Sequence, residues 1–401
     1  MTFRTLNRLG SRNAWMLVAV LGAGCGGSSA TTPKTLPNLS VLDAADGEAP
    51  ATPSGCVQGF SAATVSRLGS LARFTRGSDG IGRVAYELDY QDPSGTTYSG
   101  LRVADSSTLT PVSVAWMQSG SGFAFLEDAN NTPTIFFASA DVSAGRTVLQ
   151  ARFVQGGWQV DPTPVWTGPA GEGVAGLYAG FDDGGSAHVL IYLGGDLLLA
   201  SNSGGSWNVT EQSDFQPKLR GLSIQQVRID RNGNTHLTYM SFGDGNAYAT
   251  NASGQWAFTN LPGFNNRDAA LAIDSANAAH IFNWNEDTVT IHDRHEGAQG
   301  MVDVDLGIAS KYQTVYEAQI DANGGAHLVL LSGSFAYVTN AGGATTWTAP
   351  PDLVTWNPVN LGSNEDIQLM LDPAGQPHFG YDYNPSMNEP QYALSFVDPC
   401  N

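Results

Sequence analysis

One motif recurs five times in this chain, and each copy carries a histidine. The copies are DDGGSAHVLIY (182–192), DRNGNTHLTY (230–239), DSANAAHIFNW (274–284), DANGGAHLVLL (321–331) and DPAGQPHFGY (372–381). Each has an Asp, a short turn and a His six positions later, with an apolar stretch behind it. The pairs are Asp182 and His188, Asp230 and His236, Asp274 and His280, Asp321 and His327, and Asp372 and His378. A Gly sits in the turn of every copy except the third, which has Asn277. Self-similarity at this spacing means a repeat architecture, in which a recurring residue builds the repeat before it does any chemistry.

Two weaker copies precede these five. GSDGIGRVAY (77–86) has Arg83 in the His position, and DANNTPTIFF (128–137) has Thr134 there. The seven anchors are then spaced by 51, 54, 48, 44, 47 and 51 residues. A period of about 50 with no helical patterning fits the blades of a β-propeller. Within a unit, VRID (227–230) reads as a first strand, Asn-Gly as a hairpin turn and HLTY (236–239) as a second strand with alternating faces. LASN (199–202), YATN (248–251), YVTN (337–340) and YALS (392–395) read as third strands. Gly-rich turns then lead to Trp207, Trp256 and Trp347, with Trp158 in a similar place, and these rings are expected to pack between blades. The 47 glycines and 14% charged residues suit many strands joined by tight turns. The expected fold is all-β, a seven-bladed propeller of four-stranded blades over 56–401, with six blades the alternative if the first unit is something else. The last unit stops after its third strand, and VQGFSAATV (57–65) is left over before the first. Pairing that stretch with the last blade would close the ring and remove its open edges.

The N-terminus indicates export. Arg4, Arg8 and Arg12 precede an apolar run, WMLVAVLGAG (15–24), that is too short to cross a bilayer, followed by Cys25. Residues 1–24 read as a signal peptide and 25–55, rich in Gly, Ser, Ala, Thr and Pro, as a flexible tether. The small residues before Cys25 resemble a bacterial lipobox, although Leu21 lies four rather than three positions before the Cys. The resemblance implies lipidation at Cys25, and Gly26 after it points to the outer membrane, periplasmic or surface-exposed. The two other cysteines, Cys56 and Cys400, flank the repeats, where an exported ring would bring them together as a disulfide clasp. Without residues 1–24 the chain has 15 basic and 37 acidic residues, a net charge of −22. Such a charge repels nucleic acid and anionic lipid, so membrane contact is expected only through the lipid anchor.

The layout over 56–401 resembles the sialidase-like propellers built of bacterial neuraminidase repeats. SNSGGSW (201–207) and TNASGQW (250–256) are similar to the Asp-box turn of those repeats, keeping its Gly and Trp and lacking its Asp. The Arg-Ile-Pro segment of true sialidases does not occur. The resemblance therefore implies the fold and not the activity.

Candidate sites divide into structural and functional ones. The repeated Asp and His are expected to hold each hairpin, the Asp by accepting backbone N–H bonds and the His by bonding back to the turn. Histidines on different blades stand too far apart to converge on one Zn²⁺, so neither a metal nor a cofactor is expected from them. Calcium is conceivable at DDGG (182–185) or in the SFGDGN loop (241–246), without a full carboxylate ladder. HDRHEG (292–297) is the densest polar cluster. It reads as a solvated edge, with His292 in the place of Tyr248 on a third strand. Lys218, Arg220, Arg267 and Lys311 fall just before first strands, on the face where propellers hold ligands, with Tyr312 and Trp284 in loops of the same face. Cations beside aromatics suit an acidic sugar. An enzyme on this scaffold would draw its carboxylates from Glu172, Glu317 and Asp366, or use Tyr312 with Arg267 as a lyase pair. The sequence favours a non-catalytic module binding a glycan or an envelope protein. A polysaccharide hydrolase or lyase is the alternative.

Overall fold

The computed structural model describes residues 36–45, 60–66, 70–141, 146–169, 173–215, 222–241, 245–261, 269–285, 287–297, 300–309, 314–331, 335–343, 347, 367–383 and 393–399. Cys25, Cys56 and Cys400 lie outside them, as do Lys218, Arg220, Arg267, Lys311 and Tyr312.

Seven antiparallel sheets are formed among the described residues. Blade 1 is β2 (Ser70–Arg76), β3 (Gly82–Gln91), β4 (Thr97–Asp105) and β5 (Val112–Met117). Blade 2 is β6 (Phe123–Glu127), β7 (Pro133–Ala138) and β8 (Arg146–Val154), and its outer position is shared by β9 (Gly157–Val160) and β10 (Trp166–Gly168). Blade 3 is β11 (Gly176–Phe181), β12 (Ala187–Tyr192), β13 (Leu197–Ser201) and β14 (Asn208–Glu211). Blade 4 is β15 (Leu222–Ile229), β16 (Thr235–Ser241), β17 (Gly245–Thr250) and β18 (Ala257–Asn260). Blade 5 is β19 (Ala270–Ile273), β20 (Ala279–Asn285), β21 (Thr290–Gly297) and β22 (Gly300–Ala309). Blade 6 contributes β23 (Thr314–Ile320), β24 (Ala326–Leu331) and β25 (Phe335–Thr339). Blade 7 is β26 (Ile367–Leu371), β27 (Pro377–Tyr383) and β28 (Ala393–Pro399).

The first strands touch one another in a closed cycle, β2 to β6, β11, β15, β19, β23, β26 and back to β2. Among the described residues that cycle makes a β-propeller of seven sheets, in keeping with the spacing of the anchors. The ring closes as expected too. β1 (Phe60–Ser66) pairs antiparallel with β28, Phe60 facing Pro399, and becomes the fourth strand of blade 7. All seven anchors are the second residue of a second strand.

The core lies between blades, which explains the near-continuous apolar runs. On β12, Val189 and Ile191 pack toward blade 2 with Phe136 and Val148, while Leu190 and Tyr192 pack toward blade 4 with Val227 and Leu237. Each blade is buried on both faces, so both sides of the two-residue alternation are apolar. The tryptophans fill the same gaps. Trp207 meets Phe136 of blade 2 edge-on at 5.8 Å, and Trp256 donates to Gln212 of blade 3 at 3.0 Å.

Within the segment read as a tether, residues 36–45 are docked. They form a short helix, α1 (Ser40–Ala45), with Leu42 fully buried beside Phe74, Tyr86 and Trp116 of blade 1. Trp116 donates its indole N–H to the Pro37 carbonyl at 2.7 Å, and Arg102 donates to the Leu42 carbonyl at 3.0 Å. Gly100 makes the room, since a Cβ there would lie 2.1 Å from Leu42. Among the described residues no helix is long and apolar enough to cross a membrane.

Candidate functional site

The repeated Asp is the pin of its hairpin. Asp230 Oδ1 accepts the backbone N–H groups of Asn232 at 2.9 Å and Asn234 at 2.8 Å, and its own carbonyl accepts from Gly233 at 3.0 Å. Asp274, Asp321 and Asp372 repeat this scheme, and Asp182 binds Ser186 and Gly185 in the same way. The turn position takes positive φ in every copy, including +67° at Asn277. Asn is the non-glycine residue that best tolerates that region, so the third copy keeps the turn without a Gly.

The second carboxylate oxygen faces the His. His188 Nε2 lies 2.9 Å from Asp182 Oδ2, and His236 and His327 lie 3.3 Å from Asp230 and Asp321. At His280 and His378 this distance opens to 3.7 and 3.6 Å. Arg83 in the weak first copy bonds its turn Asp79 at 2.7 Å and reaches Glu127 of blade 2 at 2.8 Å. Burial works against the charged form of Asp182, but the bonds from His188 and Ser186 outweigh it and hold the carboxyl below its ordinary value. With both oxygens of Asp182 engaged in this way, the DDGG turn has the geometry of a hairpin lock.

The other ring nitrogen separates the copies. His236 Nδ1 meets the Tyr248 hydroxyl at 2.6 Å, and His327 Nδ1 meets Tyr337 at 2.5 Å. His378 Nδ1 meets Asp398 at 2.7 Å. His280 Nδ1 lies 3.1 Å from Asp293. Burial pushes the Tyr337 hydroxyl up to about 12, so it donates to His327 Nδ1 and leaves Nε2–H to face Asp321. Burial also lowers His327, and the nearby Asp321 only partly offsets this. At His280 burial pulls the same way, but Asp293 and Asp274 together overcome it and raise the group.

Register in blade 5 corrects the sequence reading. Asp293 faces Phe282, two residues beyond His280, as Tyr248 faces Thr238, two beyond His236. Asp293, not His292, therefore stands in the place of Tyr248, and His295 stands in the place of Thr250 and Thr339. A shift of one residue moves a side chain to the opposite face. Nor is this stretch a solvated edge. His292 and Arg294 are both buried, and Asp303 of β22 binds them at 2.7 and 3.0 Å. The long β22 covers what would otherwise be an open flank.

Polar contacts link the first strands of blades 4 and 6. Arg228 of β15 pairs with Glu317 of β23, across the short β19. Gln226 donates to the Tyr316 carbonyl at 2.9 Å and accepts from Leu271 N–H at 2.8 Å. Of the carboxylates offered for hydrolysis, Glu317 is thus ion-paired, while Glu172 and Asp366 lie outside the described residues. Trp284 is partly buried against the core between blades 5 and 6.

No protein-family model matches the chain, and no curated protein matches it. Among solved structures it is similar to the β-propeller domain of the trilobed protease from Pyrococcus furiosus, with 10% identity, 83% of this chain and 95% of that one covered, and a TM-score of 0.48. It is also similar to an α-L-arabinanase of Penicillium chrysogenum complexed with arabinobiose, at 12% identity, 88% and 99% coverage and a TM-score of 0.44. A gluconolactonase of Xanthomonas campestris aligns at 12% identity, 87% and 99% coverage and a TM-score of 0.40. Similarities of this size leave the fold resting on the ring of sheets itself, and they transfer no activity.

Proposed function

We propose that this chain is an exported envelope module, anchored to the outer membrane by lipid on Cys25, whose propeller binds a glycan or an envelope protein without catalysis. The observation that carries this reading is the internal use of the repeat's reactive groups. Arg83, His188, His236 and His327 each bond to the Asp of their own turn, and Glu317 is held by Arg228. A general base or nucleophile must be able to reach a substrate, and His236 and His327 are buried within their blades. The ligand surface in this reading is the face carrying Lys218, Arg220, Arg267, Lys311 and Tyr312, whose cations would meet a carboxylate or sulfate on a sugar.

The test uses the chain from residue 26 onward, which keeps the docked segment 36–45, on immobilised neutral and acidic polysaccharides. Retention and loss of sugar are both scored. Retention that weakens in Arg220→Ala and Arg267→Ala supports the binding role on the proposed face. Release of sugar fragments would replace it with a hydrolase or lyase. Silence in both channels would remove the glycan and leave an envelope protein as the partner.

A further inference from the structure

The blades act as controls for one another, and blade 5 departs from the pattern at two positions at once. Where blades 4 and 6 place a Tyr hydroxyl on the His ring, blade 5 places the Asp293 carboxylate, and where they place Thr250 and Thr339, it places His295. Both replacements share a face with His280. The result is two imidazoles and a carboxylate whose ligand atoms all lie within 4.8 Å of one another.

We propose that His280 Nδ1, His295 Nδ1 and the Asp293 carboxylate form a binding site for one divalent transition-metal cation, zinc or copper in type. Asp293 Oδ2 lies 3.1 Å from His280 Nδ1 and 3.0 Å from His295 Nδ1. A tetrahedral ion with bonds of about 2.0–2.1 Å holds its ligand atoms about 3.3 Å apart, so each nitrogen needs to move only slightly from the carboxylate oxygen to receive it, while the two imidazoles are held to within 4.8 Å. The imidazole rings lie 4.9 Å apart at 29°, both turning Nδ1 toward the same carboxylate.

The far side of His280 supports the assignment. Its Nε2 faces the Asp274 carboxylate at 3.7 Å, and a ligating His commonly orients its second ring nitrogen on a carboxylate in this way. The repeat's own Asp thereby becomes the outer partner of the site. His295 keeps 27% of its side-chain surface open, which gives an ion a route in and leaves a coordination position for water. Nitrogen donors select against calcium and magnesium, which take oxygen. The site also avoids the separation that rules out convergence of second-strand histidines, because His295 comes from the third strand of the same blade.

The experiment titrates Zn²⁺ alone into the purified, untagged full chain, against a chromophoric chelator and by calorimetry. One equivalent should bind with release of protons, and Cu²⁺ should bind more tightly than Zn²⁺. Asp293→Asn and His295→Ala should each abolish the stoichiometric site. Asp274→Asn should weaken it by about 10- to 100-fold, and His188→Gln should leave it unchanged. X-ray absorption of the zinc-loaded wild type should show two imidazoles, a readout independent of how any variant folds. Absence of a stoichiometric zinc, an oxygen-only first shell, or binding that survives both Asp293→Asn and His295→Ala would overturn the proposal.

Discussion

Gly233 and Gly324 hold the same turn position in blades 4 and 6 and share a φ of +82°, yet their surroundings differ. A Cβ at Gly233 would lie 2.3 Å from the His188 ring of blade 3, whereas nothing lies within 4 Å of one at Gly324. Backbone conformation alone permits Asn at both, as Asn277 shows in blade 5. Gly324→Asn should therefore cost under about 1 kcal/mol. Gly233→Asn should cost about 2 kcal/mol or more, because it displaces His188 from Asp182. Urea unfolding midpoints compare the two, and equal costs would show that His188 is not packed under its neighbour's turn. His327 gives the pH prediction at this scale. Its folded value lies below the ordinary one of about 6.5, so between the two the unfolded chain binds more protons and stability rises with pH. On acidification below about 6.5 this contribution is lost. Glu127 acts in the opposite direction over part of that range, since burial pushes its carboxyl up to about 7 against the pull of Arg83. The informative quantity is thus the difference between wild type and His327→Gln. The variant should show the smaller loss of melting temperature between pH 7 and pH 5, and parallel curves would rule the mechanism out.

At the scale of the element, the hairpins were legible because their signals are local: an Asp, a positive-φ turn and a His within seven residues. A second lock was present in the sequence and missed. The Asn ending LASN, YATN and YVTN accepts the N–H that opens the second strand, Asn202 from Ala187 at 2.7 Å, Asn251 from Thr235 at 2.7 Å and Asn340 from Ala326 at 2.6 Å. Three recurrences of Ser-Asn or Thr-Asn before a Gly-rich turn were the available signal. Asn251→Ala would strand the N–H of Thr235, a fully buried residue, and should cost about 1–3 kcal/mol. Hydrogen exchange should then speed up at the Thr235 amide ahead of the rest of β16, and unchanged exchange there would mean that another group holds the strand. The register of β21 was misread by one because HDRHEG lacks the apolar alternation that fixes a strand's faces. The docking of 36–45 was illegible for a different reason. Its fully buried anchor, Leu42, lies in a stretch whose composition reads as linker, and its complement, Gly100, is distant in the chain. The candidate ligand face rests on loop residues, where spacing locates a position but not a side-chain geometry.

For the whole molecule the decisive joint is the closure. Six blade interfaces follow from chain order, but the last blade is completed by a strand from the other end of the sequence, β1 on β28. Loss of that pairing would bare the edge of β28 and invite association between chains. The register places Phe60 opposite Pro399, and Cys400 is the next residue after Pro399. Cys56 precedes Phe60 by four positions, a stretch that spans at most about 14 Å and can fold back over less. A disulfide needs its Cα atoms within about 4.4–6.8 Å, which this reach allows. In an exported chain the pair should therefore be oxidised and act as a clasp on the ring. Because it would link the two ends of the propeller, its contribution should lie near the upper end for disulfides, about 4 kcal/mol. Three measurements bear on it. Mass spectrometry after alkylation under unfolding, non-reducing conditions should find neither thiol modified. Reductant should lower the melting temperature of the wild type, and the Cys56→Ser, Cys400→Ser double variant should start low and not respond. If both thiols react without reductant, no clasp forms and the closure rests on non-covalent contacts, the β1–β28 pairing and the packing of β2 on β26 among them.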